Sequence, residues 1–225
     1  MYKSIFTVAL LLMTGLFTLT SCDNKNNTPE PSQGTVKEYT QSRTTDVNGE
    51  WVYFSFATGK EVEGVTEANY KERLDWDLAF NTFFIRTNSG QSGKGKGGAH
   101  MTFKTDLAAV TEAPKDDYLT DDTYQLLGYG RGIIRKRSTA NVELSGISDI
   151  KTEPKIEIKL GKAVSFYGAP PTYVYKASDN IFVIRTADGK YAKVKFISYK
   201  NAEGKPGYIT FQYVYQPDGS TNLGK

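Results

Sequence analysis

Ile181-Phe182-Val183-Ile184-Arg185-Thr186 is followed, after Ala187-Asp188-Gly189-Lys190, by Tyr191-Ala192-Lys193-Val194-Lys195-Phe196-Ile197. This stretch decides the fold. Both runs are rich in β-branched and aromatic residues, and an Asp-Gly pair between them favours a type I′ turn, in which both central residues have positive φ. Lys193 and Lys195 alternate with Val194 and Phe196, which predicts one buried face and one wet face. Asn201-Ala202-Glu203-Gly204-Lys205 then returns the chain into Tyr208-Ile209-Thr210-Phe211-Gln212-Tyr213-Val214-Tyr215. The three runs make an antiparallel meander.

Upstream, Trp51-Val52-Tyr53-Phe54-Ser55-Phe56 reads as a strand closed by Thr58-Gly59-Lys60. Further strands are expected at 75–80, 83–87, 99–104, 133–134 and 155–160. Thr66 is placed to cap a short helix over 67–73, and 106–110 suits a single helical turn. Between 87 and 99 runs an eleven-residue glycine loop, Asn88-Ser89-Gly90-Gln91-Ser92-Gly93-Lys94-Gly95-Lys96-Gly97-Gly98. The 225 residues include 15 Tyr, 12 Phe, 2 Trp and 21 Gly, a mixture that favours strands and tight turns over a helical bundle. With no repeat period and no interdomain linker, the expected architecture is all-β: a single, mostly antiparallel β domain.

Charge excludes little, but cysteine and histidine exclude much. The 28 Lys+Arg against 25 Asp+Glu give +3, with no basic block to follow a nucleic-acid backbone. One cysteine, Cys22, and one histidine, His100, rule out an internal disulfide framework and zinc sites of four cysteines or two cysteines and two histidines. Cys22 also has an informative position. Lys3, the apolar run Ile5-Phe6-Thr7-Val8-Ala9-Leu10-Leu11-Leu12-Met13 and the small residues before Cys22 form a secretory signal peptide. Leu19-Thr20-Ser21-Cys22 is similar to the bacterial lipoprotein cleavage motif, in which the cysteine is lipidated. The expected organisation is a signal peptide at 1–21, a lipidated Cys22 and flexible tether through 34, and the β domain at 35–225. The tether, Asp-Asn-Lys-Asn-Asn-Thr-Pro-Glu-Pro-Ser-Gln-Gly, lacks any apolar side chain able to offset its ordering entropy. Membrane attachment is then through the lipid alone.

Few residues offer catalytic chemistry. Gly90-x-x-x-x-Gly95-Lys96 has the outline of a phosphate loop, but Gly97 stands where a Ser or Thr hydroxyl is needed, and a strand follows where a helix should. A structural glycine loop is the expected role. Asp75 and Asp77 share a face if their segment is a strand, and Asp116, Asp117, Asp121 and Asp122 read as a solvated turn without calcium-loop spacing. No G-x-S-x-G elbow occurs, and the chain is not expected to be an enzyme. His100-Met101 contains two haem-ligand types, yet neighbouring strand residues face opposite ways, so at most His100 or Met101 addresses a given iron. His100 is retained as a metal-ligand candidate.

From Trp51 onward the chain resembles the HmuY-like family of haem-binding lipoproteins of Gram-negative anaerobes. The residues that carry the resemblance are Asp75-Trp76-Asp77-Leu78-Ala79, the stretch from Arg86 through the glycine loop to Ala99, Pro170-Pro171-Thr172-Tyr173, Phe182 to Gly189, Ala192 to Phe196, and Ile209-Thr210-Phe211. The resemblance implies an all-β fold and capture of haem, or a related tetrapyrrole, for delivery to an outer-membrane transporter. Relatives hold iron with histidine or methionine from two loops, one in the middle segment and one before P-T-Y. Here 118–161 and Ser165-Phe166-Tyr167-Gly168-Ala169-Pro170-Pro171 contain neither residue. Three readings stay open. Tyr167 or Tyr129 is a tyrosinate ligand; or Phe166, Tyr129 and Tyr167 hold the apolar face while Arg131 or Arg135 meets a propionate; or the pocket accepts another ligand. The alternative outside haem is a surface adhesin or an interaction module of an uptake complex.

Overall fold

The computed structural model describes residues 34–46, 48–129, 133–145, 148–149, 157–158, 163–167 and 174–224. The signal peptide, Cys22 and the tether other than Gly34 lie outside the described residues. In chain order the strands are β1 Lys37–Thr40, β2 Val52–Ser55, β3 Lys60–Glu61, β4 Leu78–Asn81, β5 Phe84–Thr87, β6 Gly98–Met101, β7 Asp122–Tyr129 and β8 Ile133–Ala140. They continue as β9 Ser148–Asp149, β10 Glu157–Ile158, β11 Val164–Tyr167, β12 Val174–Ala177, β13 Ile181–Arg185, β14 Tyr191–Lys200 and β15 Pro206–Gln216. They form sheets ordered β1-β15-β14-β13-β6, β3-β2-β4-β5 and β10-β9-β7-β8, with a separate pair β11-β12. Among the described residues all the strand pairings are antiparallel. The expected all-β class holds.

The first two sheets face each other across an aromatic core. Phe54, Phe56, Leu78, Phe80 and Ile85 meet Tyr39, Phe182, Ile184, Val194, Phe196, Phe211 and Tyr213. Phe54 sits edge-on to Phe56 at 5.2 Å and to Phe211 at 5.3 Å between ring centroids, the arrangement that ring quadrupoles favour. Each such ring, fully buried, contributes about 2–3 kcal/mol. Strand alternation sends the intervening residues the other way. Tyr53 and Ala79 join Trp51, Tyr70, Trp76, Phe84 and Ala140 behind one sheet, while Ile181 and Val183 join Leu107, Val110, Ala113 and Leu223 behind the other.

That third cluster corrects the expected wet face of the meander. Lys193 is 1% exposed, and its Nζ donates to Val110 O at 3.0 Å. Desolvation holds its ammonium pKa below the ordinary value. Lys195 Nζ donates to Thr105 O at 2.9 Å. The alternation is real, but a segment some eighty residues upstream covers the polar side and brings backbone carbonyls for the lysines. The same segment contains the expected helical turn, a single 3-10 turn at Leu107–Ala109 with Asp106 capping Ala108 N–H.

Two other expectations change. The β13–β14 turn is not type I′: Gly189 has φ +87, whereas Asp188 is not in the positive-φ region. Gly189 N–H donates to Thr186 O and Thr186 N–H to Lys190 O, the three-residue loop in which one left-handed glycine follows a type I-like turn. The β14–β15 turn repeats this pattern, with Gly204 at φ +77 and Asn201 in place of Thr186. The helix expected over 67–73 is a set of turns. Asn69 Oδ1 accepts from Thr66 N–H at 2.8 Å and its Nδ2 donates to Gly64 O at 3.0 Å, a capping-box contact that starts the first turn.

Candidate functional site

The motif residues build a scaffold. Arg86, on β5, is 1% exposed. Its guanidinium lies 3.7 Å from the Trp51 ring centroid and 4.3 Å from that of Tyr70. It donates to Glu67 Oε1 at 2.8 Å, Tyr53 Oη at 3.2 Å, Ser138 Oγ at 2.8 Å and Thr139 O at 3.2 Å. A planar cation with five donors is needed for that combination of stacking and hydrogen bonding. Two residues on, Asn88 is the post around which the glycine loop winds. Its Nδ2 donates to Arg73 O and Trp76 O, its Oδ1 accepts from Gly95 N–H, and its backbone O accepts from Gly97 N–H. A Cβ on Gly97 would stand 2.6 Å from Asn88 O, and one on Gly93 would stand 2.1 Å from Asn88 Oδ1. The loop is therefore a packed structural element, and these amides are turned toward protein oxygens rather than a phosphate.

Asp75 and Asp77 part company, because their segment is not a strand. Asp75 is exposed and paired with Arg73, which lowers its pKa mainly through the side-chain hydrogen bond. Asp77 is buried and accepts from Phe56 N–H at 2.8 Å and Ala187 N–H at 2.9 Å, joining the two facing sheets. Burial pushes its pKa up to about 6. Asp121 also departs from the solvated-turn expectation. Asp116, Asp117 and Asp122 are exposed, but Asp121 is 3% exposed, with burial raising its pKa to about 6.

Asp121 marks the root of the long β7–β8 hairpin. Its carboxylate accepts from Thr87 N–H at 3.0 Å, Thr87 Oγ1 at 2.6 Å and Asn141 Nδ2 at 3.0 Å. Asp121 precedes β7 and Asn141 follows β8, so their contact closes the hairpin at its base. Ser92 Oγ and Thr139 Oγ1 lie 2.8 Å apart and tie the glycine loop to β8. The second hairpin, β11–β12, starts from the same place: Ala163 N–H donates to Leu144 O at 3.1 Å, and Ser178 N–H donates to Ala163 O at 2.7 Å. Two hairpins thus leave the sandwich from hydrogen-bonded neighbouring roots.

These hairpins contain the candidate ligand residues. Tyr129 pairs with Ile133 at the last rung of β7–β8, and Arg135 pairs with Leu127 two rungs in. Phe166 and Tyr167 occupy the last rungs of β11, opposite Tyr175 and Val174. Arg131 lies outside the described residues, as do the side chains of Tyr129, Arg135, Phe166 and Tyr167 and the Pro170-Pro171-Thr172-Tyr173 segment. His100 is elsewhere, on β6 opposite Val183, with Nδ1 3.2 Å from Asp117 O and its ring beside Tyr118. Met101 packs on the principal core, so His100 and Met101 do face apart. Among the described residues, no three His, Cys, Asp or Glu side chains gather as a metal site. A cleft of about 290 Å³ lies beside Trp51, between 43–53 and 61–66, and its lining contains none of the candidate residues. Asn141 is not singled out by the sequence, and Asp121 and Asn88 figure there only within an expected solvated turn and a glycine loop; the usable signal for Asp121 and Asn141 is that they bracket the interval 122–140.

The sequence model of the HmuY protein family matches residues 48–213, which includes both hairpins, Asn88 and Asp121. The chain belongs to the HmuY family. Its structure is similar to the apo HmuY analogue of Tannerella forsythia, at 21% identity and a TM-score of 0.56, covering 83% of this chain and 99% of that one. It is also similar to a candidate HmuY-like haem-binding protein of Bacteroides vulgatus, at 23% identity and TM-score 0.55, covering 80% and 91%. Apo PinO from Porphyromonas gingivitis is a third, at 19% identity and TM-score 0.56, covering 80% and 97%. At these identities the likeness is one of fold. No curated protein is similar to this HmuY-family chain in sequence.

Proposed function

We propose that this HmuY-family chain is a surface lipoprotein that binds haem or a related tetrapyrrole between its two hairpins and passes it to an outer-membrane uptake system. The observation that carries the reading is the common root of β7–β8 and β11–β12, which brings together the two segments where the family resemblance puts ligand binding. Family membership supports it.

The donor chemistry of the hairpins suits ferric haem. Neither hairpin contains histidine or methionine, but Tyr129 and Tyr167 stand at strand ends, and a phenolate is a hard anionic ligand suited to ferric iron. Phe166 would add apolar contact, and Arg131 or Arg135 would meet a propionate. The role is binding and transfer rather than turnover, with Cys22 as the lipid anchor and a transporter as the partner.

Absorbance titration of the purified protein with ferric haem tests this reading. A saturable Soret shift is expected, weakening on reduction. No shift under oxidising or reducing conditions favours the adhesin or interaction-module alternative. Tyr167→Phe or Tyr129→Phe should change the spectrum, and unchanged spectra in both would remove tyrosinate ligation. Cys22→Ala should release the protein from membranes.

A further inference from the structure

Phe103 is the most exposed large apolar side chain among the described residues, at 75%, and its backbone is left-handed with φ +56. A left-handed conformation is costly for any side chain and uncommon for an aromatic one. Here it is enforced from both sides. Thr102 N–H and Thr102 Oγ1 donate to Ile181 O at 2.9 and 2.8 Å, and Ile181 N–H donates to Lys104 O at 2.7 Å. Lys104 N–H also bonds Thr102 Oγ1 at 3.2 Å, and Lys195 Nζ holds Thr105 O. The turn is clamped while the ring it displays packs against nothing in the core.

Its place in the fold is specific. Met101, two residues before Phe103, donates its N–H to Glu143 Oε1 at 3.3 Å, and Glu143 lies three residues beyond the end of β8. Ile181, gripped by Thr102 and Lys104, lies four residues beyond the end of β12. The turn is therefore bonded close to the roots of both candidate ligand hairpins. Backbone strain retained under such constraint, with an aromatic side chain held out to solvent, is what a binding contact requires and what stability alone would remove.

We propose that Phe103 is a further contact for the tetrapyrrole, its ring laid against the macrocycle at the hairpin roots, with the exposed Lys104 beside it meeting a ligand carboxylate. The inference rests on the proposed haem reading in its Tyr167 form, because Tyr129 stands about 23 Å of strand away from the root of β7–β8. It predicts a trade-off: Phe103→Gly relieves the left-handed backbone and loses the contact, so stability and affinity move in opposite directions.

The test is Soret titration and thermal melting of the purified protein, with haem as probe. Phe103→Gly should raise Tm by about 3 °C and weaken haem binding by about tenfold. Phe103→Leu keeps the backbone conformation and loses only the ring; it should leave Tm unchanged and weaken binding several-fold. Leu74→Ala, at an exposed apolar side chain outside the proposed contact, should change neither. If the wild-type protein binds haem and both Phe103 variants bind within twofold of it, the contact is refuted while the haem reading stands. An equal loss in Leu74→Ala refutes it as well. If the wild type gives no saturable shift, both readings fall.

Discussion

The glycine loop at 88–98 and the turn at 102–105 flank β6, and each contains a residue at nearly the same backbone angle: Gly90 at φ +51 and Phe103 at φ +56. In the loop the residue type agrees with the geometry. A Cβ on Gly90 would stand 2.1 Å from Asp121 O, so only glycine satisfies both the angle and the packing. In the turn the residue type opposes the geometry, and about 1–2 kcal/mol of backbone strain is carried by a side chain that contributes nothing to the core. Local agreement marks a structural element, whereas local conflict under tight constraint marks a candidate contact.

Gly90→Ala must move Asp121, because the clash is with backbone oxygen rather than a flexible side-chain end. Asp121 in turn holds Thr87 and Asn141, so the root of the β7–β8 hairpin moves too. A loss of about 4 kcal/mol is expected in urea unfolding. A loss below about 1 kcal/mol would mean that the loop can re-form around a side chain and that its glycines are not packing requirements.

The β13–β14–β15 meander is legible because its information is local: period-two alternation interrupted by two glycine-bearing turns. The fate of its outward face is not, since Lys193 is covered by Val110, 83 residues away. Asp121 illustrates the same limit. It resembles its exposed neighbours Asp116, Asp117 and Asp122 in sequence, and its burial depends on donors from Thr87 and Asn141, 34 and 20 residues away. The helix expected at 67–73 goes no further than turns, although Asn69 caps Thr66 N–H as a helix start would require. For the candidate site, alternation and spacing placed the strands, but only the family resemblance directed attention to Tyr129 and to Phe166-Tyr167. Phe103 carries no sequence mark, because positive φ at an aromatic residue is imposed by Ile181 from another strand.

Titration of Asp121 reports on the same hairpin root from across the loop. Its native pKa is about 6 against an ordinary 3.8, with burial as the main cause. Between those values the unfolded chain releases its proton while the folded protein keeps it, so stability falls as pH rises. The contribution is complete below pH 3.8 and gone above about pH 6, and amounts to about 3 kcal/mol. Asp77, with a native pKa also near 6, adds a loss in the same direction. The stability difference between wild type and Asp121→Asn should therefore shift by about 2 kcal/mol against the wild type between pH 4 and pH 6.5. A flat difference across that range would show that the carboxylate in the hairpin root is better solvated than its burial implies.

The smallest effect calibrates the strain assigned to Phe103. Gly204, in the β14–β15 turn, has φ +77, and a Cβ there would meet nothing within 4 Å. Gly204→Ala thus isolates the backbone term: left-handed strain, partly offset by the lower unfolded-state entropy of alanine, with no clash. A loss of about 1 kcal/mol is expected, well below that for Gly90→Ala, where contact is added to angle. The number bears directly on Phe103, which has a similar backbone angle and an equally solvated side chain. If Gly204→Ala proves neutral, left-handed backbone costs this fold little in an open turn. Phe103 would then need no functional reason to remain, and only its effect on ligand binding could justify the role assigned to it.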